Sequence, residues 1–64
     1  MQQIRPKTLL RLPHVIARTG LSRSEIYRLL KVRAFPQPLK LGIRAIAWDE
    51  DAIEQWITDL ITAA

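Results

Sequence analysis

The sequence contains no cysteine, two glycines and a single histidine among its 64 residues. Without cysteine there can be no disulfide and no thiolate metal site, and a chain this short buries only about 60% of the surface that its unfolded form exposes. It also lacks a run of about 18 apolar residues, the length that a membrane helix needs, and residues 1–7 lack the apolar core of a signal peptide. The sequence therefore predicts one small cytoplasmic domain without metal or cofactor.

Acidic residues are scarce in the first three-quarters of the chain. Residues 1–48 contain all ten Lys and Arg residues and one acid, Glu25, for a net charge of +9. Residues 49–64 contain five acids and no base, a net charge of −5, which leaves +4 for the whole chain. A basic body with an acidic terminal segment is typical of a polyanion-binding surface, although charge alone identifies no ligand.

The residue combinations that catalysis needs are missing as well. His14 is the only histidine, and neither Ser22 nor Ser24 has a histidine nearby that would activate it. The acids at positions 49–51 fall in the first turn of a predicted helix, whose dipole keeps them ionised and unsuited to act as general acids. We therefore expect that the protein is not an enzyme and that His14 is a solvated helix residue.

The segment from Gly20 to Lys31 carries the clearest local signals. Gly20 can adopt a positive φ and end a first helix, predicted from Pro13 to Thr19. Ser22 and Glu25 have the spacing of a capping box, in which each side chain binds the backbone N–H of the other. A second helix should therefore begin directly after Ser22.

This second helix has two contrasting faces. Its apolar positions, Ile26, Leu29 and Leu30, recur at helical spacing on one side. The other side carries a hydroxyl, a ring and two cations, at Ser24, Tyr27, Arg28 and Lys31. Such a face can donate hydrogen bonds and lie in a groove of nucleic acid.

The next stretch predicts a rigid connector followed by a β-hairpin. Pro36 and Pro38 impose extended backbone, and Phe35 is the apolar residue expected to attach the connector to the core. Period-two patterning on both sides of residues 42–45 predicts a hairpin over residues 39–48. Its tip should project Arg44, and it should pack against the helices through Leu39, Leu41 and Trp48.

A last amphipathic helix is predicted after Asp49, which can act as its N-cap. Its apolar positions follow one helical stripe, at Ile53, Trp56, Ile57, Leu60 and Ile61. The stripe is wide for one small domain, so its exposed part is a candidate surface for self-association.

These elements predict a mainly α fold with a small β-hairpin, a winged helix-turn-helix of three helices plus a wing. Residues 9–64 are expected to form a single DNA-binding domain, preceded by a flexible arm at residues 1–8. The second helix would enter the major groove, and the hairpin would lie on the backbone or in the minor groove.

The candidate DNA contacts follow from this arrangement. Arg23 and Arg28 are candidates for bidentate contacts to guanine, whereas Ser24 and Tyr27 suit either a base edge or a phosphate. The wing-tip cation, Arg44, suits a narrow minor groove. Phosphate contacts, which set register and carry no sequence information, are expected for Arg18, Lys31 and Lys40.

The chain resembles the AlpA family of small phage and prophage regulators, which are related to excisionases and to the winged helix-turn-helix of MerR proteins. The resemblance covers residues 9–60 and rests on TGLSRS-x-IYRL at 19–29, FP-x-P-x-KLG-x-RA-x-AW at 35–48 and Trp56. It implies DNA binding by the helix at 23–31 and by a wing around 42–44. It also implies activation of a gene, often an integrase gene, or direction of excisive recombination. Arg33 departs from the pattern, since family members often carry glycine there, and it adds another candidate phosphate contact.

We therefore expect a sequence-specific double-stranded DNA-binding regulator or recombination directionality factor, associated with the nucleoid. So small a module makes few base contacts, so we expect repeated sites and help from self-association, an integrase or another regulator. The alternative is an adaptor whose basic face docks on an acidic protein. RNA binding is a weaker alternative because it usually needs several exposed aromatic residues, and only Tyr27 qualifies.

Overall fold

The computed structural model describes residues 7–64, in which three helices pack on a small antiparallel sheet. The elements are β1 (Leu9–Leu10), α1 (Leu12–Thr19), α2 (Arg23–Lys31), β2 (Leu39–Lys40), β3 (Ile46–Asp49) and α3 (Glu50–Ala63). The predicted winged helix-turn-helix is therefore confirmed. The predicted flexible arm, residues 1–8, lies outside the described residues except for Lys7 and Thr8.

The turn between α1 and α2 is built from the local signals of the sequence. Gly20 adopts φ 77°, and its N–H donates to the carbonyl of Ile16 at 2.9 Å, which ends α1. The capping box then starts α2. Ser22 Oγ accepts from the Glu25 N–H at 3.1 Å, and Glu25 Oε1 accepts from the Ser22 N–H at 2.9 Å. Both bounds of α2 agree with the prediction.

The sheet has one strand more than the predicted hairpin. β3 lies in the middle and pairs antiparallel with both β1 and β2. Leu10 of β1 lies opposite Trp48, and Leu39 of β2 lies opposite Ala47. β1 has only two residues, so no periodicity in the sequence could indicate it. It leads almost directly into α1, which begins at Leu12, one residue before the predicted Pro13.

The core takes one large apolar residue from each main part of the fold. These residues, each at most 4% exposed, are Val15, Ile26, Phe35, Trp48 and Ile53. The predicted packing of Leu39 and Leu41 is wrong, because these side chains are 51% and 50% exposed. They lie on or beside the edge strand β2, whereas the central strand β3 buries Ala47 and Trp48.

Two tryptophans hold the connector between α2 and β2. The indole N–H of Trp48 donates to the carbonyl of Pro36 at 2.8 Å, and that of Trp56 donates to the carbonyl of Ala34 at 3.0 Å. Between them, the ring of Phe35 makes edge-on contacts, with centroid distances of 6.4 Å to Trp48 and 4.9 Å to Trp56. The predicted anchoring role of Phe35 is confirmed.

α2 ends in a turn that places a non-glycine residue in the left-handed region. Arg33 has φ 58° and donates its N–H to Leu30 at 3.1 Å, while the Ala34 N–H donates to Leu29 at 2.8 Å. This pair of hydrogen bonds is the Schellman pattern, in which glycine is the usual left-handed residue. Arg33 therefore occupies the position where a glycine would avoid the steric cost of a Cβ.

α3 begins as predicted, with Asp49 Oδ1 accepting from the Asp51 N–H at 3.1 Å. Its apolar stripe is buried at Ile53 but emerges toward the C-terminus, where Leu60 is 53% and Ile61 71% exposed. Within residues 7–64, none of the helices has the length and apolar character to cross a membrane.

Candidate nucleic-acid interface

All nine candidate DNA contacts have exposed side chains. They are Arg18, Arg23, Ser24, Tyr27, Arg28, Lys31, Arg33, Lys40 and Arg44. On α2 this exposure results from the packing of Ile26, Leu29 and Leu30 against the core, which turns the opposite side of the helix outward. The predicted division of α2 into an apolar and a polar face is confirmed.

The first turn of α2 faces the wing across a groove of about 410 Å³. Its lining combines three arginines and a tyrosine with three apolar residues, and consists of Arg11, Leu12, Pro13, Arg23, Tyr27, Arg44 and Ile46. The structure thus brings together two candidates from α2, Arg23 and Tyr27, with one from the wing, Arg44. The other six candidates lie outside this groove.

Arg23 and Tyr27 contact each other on α2. The guanidinium of Arg23 lies 5.9 Å from the centroid of the Tyr27 ring, within the range of a cation–π contact. Tyr27 remains 43% exposed, so the ring can hold the guanidinium and still present its hydroxyl to a ligand.

The wing loop places Arg44 at the edge of the groove that Arg23 and Tyr27 of α2 also line. Leu41 and Gly42 both donate their N–H groups to the carbonyl of Ala45, at 2.7 and 3.3 Å, which closes the loop tightly. Ile43 is 98% exposed, while Arg44 is exposed and lines the groove. The wing loop therefore presents an apolar side chain next to a cation.

Arg18 differs from the other candidates because an acid already binds it. Its Nε and Nη2 donate to the two carboxylate oxygens of Glu54 on α3, each at 2.6 Å. This bidentate hydrogen bonding raises the pKa of Arg18 and lowers the pKa of Glu54. A DNA phosphate at Arg18 would have to compete with Glu54.

Arg11 is a groove residue that the sequence analysis did not single out. It precedes α1 as its N-cap residue, and its carbonyl accepts from the N–H groups of His14 and Val15 at 3.0 and 3.1 Å. Its side chain lines the groove with Arg23 and Arg44. The only signal in the sequence was a cation before a helix start, which does not reveal that α2 and the wing lie nearby.

Across residues 7–64, no three or more His, Cys, Asp or Glu side chains are placed to hold a metal ion. His14 is exposed on α1, as predicted. The chemistry that this face offers is therefore that of guanidinium, ammonium and hydroxyl donors.

The chain is similar in sequence to known proteins of a phage, a prophage and a bacterium. The family model described as Prophage CP4-57 regulatory protein (AlpA) matches residues 8–61. A DNA-binding transcriptional activator AlpA of Escherichia coli (strain K12) is 36% identical over 56 residues, which cover 78% of this chain and 80% of that protein. The uncharacterized protein ORF88 of Enterobacteria phage P4 is 34% identical over 61 residues, covering 95% of this chain and 69% of the phage protein.

Proposed function

This chain belongs to the AlpA family of prophage regulatory proteins, and on that premise we propose that it binds double-stranded DNA sequence-specifically as a transcriptional regulator. The observation that carries the proposal is the outward polar face of α2 beside a cationic wing. Helix-turn-helix proteins place such a helix in the major groove. A relative named as a transcriptional activator supports activation as the outcome, and an integrase or another mobile-element gene is the proposed target.

The roles of the exposed residues divide between base reading and phosphate binding. Arg28 lies on the exposed face of α2, away from the groove, where a bidentate contact to guanine is open to it. Lys40 lies on the edge strand β2 of the wing and is a point charge suited to phosphate. Arg33 and Lys31, at the end of α2, extend this basic surface.

Selection from a random duplex pool tests the proposal directly. We expect a consensus sequence to emerge, and we expect that sequence to occur near an integrase or mobile-element gene, where it would activate transcription or direct excision. An unenriched pool together with tight binding to an acidic protein would contradict DNA binding and would favour the adaptor alternative.

Two matched variants then separate base reading from phosphate binding. Arg28→Ala should lose about 1–3 kcal/mol of discrimination at one base pair. Lys40→Ala should weaken binding to all sequences equally and reduce the slope of log K against log salt by about 0.9. If both variants weaken every sequence alike, the assignment of base reading to Arg28 is wrong.

We also propose that neighbouring copies contact each other through the exposed end of α3. Leu60 and Ile61 are exposed there, on a segment of five acids and no base that complements the basic remainder of a second copy. A single module of this size contacts few bases, so neighbour contacts on repeated sites would raise affinity.

Cooperativity on a duplex with two sites tests this contact. Ile61→Gln should abolish cooperativity while leaving affinity for a single site unchanged, and Leu9→Gln, at an exposed apolar residue of β1 outside the proposed DNA contacts, serves as the control. Unchanged cooperativity in Ile61→Gln would contradict self-association at α3. If the same variant instead loses binding to an integrase, the surface belongs to that partner.

A further inference from the structure

The groove between α2 and the wing collects three arginines from three separate parts of the fold. Arg11 precedes α1, Arg23 is the first residue of α2 and Arg44 lies in the wing loop. They are separated by 12 positions or more in the sequence, so only the tertiary structure brings them to one groove. Tyr27 lies among them with its ring beside Arg23.

Among residues 7–64, no carboxylate forms an ion pair with these three guanidinium groups. The ion pairs of residues 7–64 join Lys7 to Asp49 and Asp51, and Arg18 to Glu54, and no acid lines the groove. Like charges gathered on one groove repel one another in the unbound protein. An anion placed between them would remove this repulsion and complete their hydrogen bonding.

The donor chemistry identifies the class of anion. Guanidinium groups match phosphate oxygens with paired, charge-assisted hydrogen bonds, and a phenol hydroxyl such as that of Tyr27 can donate one more. The guanidinium of Arg23 lies against the ring of Tyr27, and both side chains line the groove together with Arg44 of the wing. A base edge in the major groove would instead face the exposed helix surface that carries Arg28.

We infer that this groove is a phosphate-binding site formed by Arg11, Arg23 and Arg44, which holds one backbone phosphate of the bound duplex. The inference rests on the proposed DNA-binding function and refines it in two respects. Arg23 becomes a backbone contact instead of a reader of guanine, and Arg44 binds the backbone instead of entering a minor groove. Arg11 joins the interface, and a single phosphate sets the distance between α2 and the wing on the DNA.

A phosphate-by-phosphate replacement tests the site. In the selected duplex, each phosphate near the recognition sequence is replaced singly by a neutral methylphosphonate, and affinity is measured for the wild type and for Arg11→Gln, Arg23→Gln and Arg44→Gln. The wild type should lose about ten-fold in affinity at one position. Each variant should bind the unmodified duplex about ten-fold more weakly and should lose little more when that same phosphate is neutralised.

Lys31→Gln is the matched control, because it removes one exposed cation of α2 outside the groove. Its affinity should fall as much as that of the wild type when the phosphate is neutralised to which the three groove variants are insensitive. Circular dichroism of each variant establishes that it is folded. A loss of base discrimination in Arg23→Gln, or full sensitivity of all three groove variants at every phosphate, would overturn the assignment of the groove to a backbone phosphate of the duplex, even if sequence-specific DNA binding is confirmed.

A second arm identifies the source of the phosphate. Inorganic phosphate is titrated into the protein without DNA while the arginine side-chain N–H signals are followed by NMR. One outcome is that inorganic phosphate causes saturable shifts that Arg11→Gln abolishes while the groove variants stay sensitive to every phosphate of the duplex. This combination would support the phosphate site and assign it to a free phosphate ligand. The phosphate site is refuted if phosphate causes no NMR shift and no groove variant becomes insensitive to a duplex phosphate. Failure to select any duplex would instead count against the proposed function, and this arm would still test the groove.

Discussion

The two ends of α2 are stabilised in different ways. At the start, Gly20 and the reciprocal hydrogen bonds of Ser22 and Glu25 form a cap within six consecutive residues. At the end, Arg33 adopts φ 58° without glycine. The segment that follows is held by indole hydrogen bonds from residues 12 and 22 positions away in the sequence. The start of the helix therefore depends on local chemistry, and its end depends on tertiary contacts.

Removal of the Phe35 ring, which anchors the connector between α2 and β2, should have the largest effect on stability. Phe35→Ala leaves a cavity between Trp48 and Trp56, and we expect a loss of about 3–5 kcal/mol in the free energy of unfolding, measured by urea denaturation. A loss of this size is a large fraction of the stability of so small a domain. Phe35→Leu, which keeps an apolar side chain of similar reach, should lose much less. If Phe35→Ala lowers stability no more than a cap mutation does, the end of α2 does not depend on tertiary contacts.

Removal of the local cap should have a smaller effect. Ser22→Ala deletes the hydroxyl that accepts from the Glu25 N–H, and we expect a loss of about 1 kcal/mol in the free energy of unfolding. Ser24→Ala, an exposed serine of the same turn without a capping hydrogen bond, is the control and should change stability little. Equal losses in the two variants would show that the capping bond contributes nothing measurable.

A glycine at the end of α2 should stabilise the protein. Arg33→Gly removes the steric cost of a left-handed residue, partly offset by the greater freedom of glycine in the unfolded chain, so we expect a gain of about 0.5–1 kcal/mol. Arg33→Ala removes the same charge but keeps the Cβ and should show no gain. If Arg33 also binds phosphate, both variants should weaken DNA binding equally, which separates the charge of this residue from its conformation.

The smallest expected effect is the pH dependence of the cap. The hydrogen bond from the Ser22 backbone N–H lowers the pKa of Glu25, and the Ser22 hydroxyl adds to this effect. Because the folded pKa lies below the unfolded one, the contribution of Glu25 to stability is present above the unfolded pKa. It is lost as the pH falls through the folded pKa.

Thermal unfolding between neutral pH and pH 3 measures how the contribution of Glu25 to stability changes with pH. Glu25→Gln keeps a capping side chain without its titration, so it should lose less stability on acidification than the wild type. Glu54, whose pKa is likewise lowered by its hydrogen bonds to Arg18, also becomes protonated on acidification and causes part of the remaining decrease. An identical decrease in Glu25→Gln and the wild type would exclude a role for the cap in the acid response.

The interface shows the same contrast between local and tertiary control. The outward position of Tyr27 and Arg28 was predictable because helical spacing and the apolar face of α2 determine it. The pairing of Arg18 with Glu54 was not, since these residues are 36 positions apart and become neighbours only because α1 and α3 both pack against β3. The groove position of Arg11 escaped the sequence analysis for the same reason.

The sheet marks the other limit of the sequence analysis. Alternating apolar residues predicted the hairpin, but they could not show which strand would lie in the middle. With β1 on one side and β2 on the other, β3 buries Trp48, and Leu39 and Leu41 remain half exposed. Alternation indicates two faces of a strand, whereas burial depends on what packs against each face.

The sequence by itself determined where α2 begins, which of its sides is polar and how α3 is capped, because those features arise from hydrogen bonds and periodicities within a few residues. Only the tertiary structure decided which cations are neutralised and which stay free. Arg18 lies against Glu54, while Arg11, Arg23 and Arg44 share a groove that no acid lines. Electrostatic interactions act through space between residues distant in the chain, and the fold sets those distances.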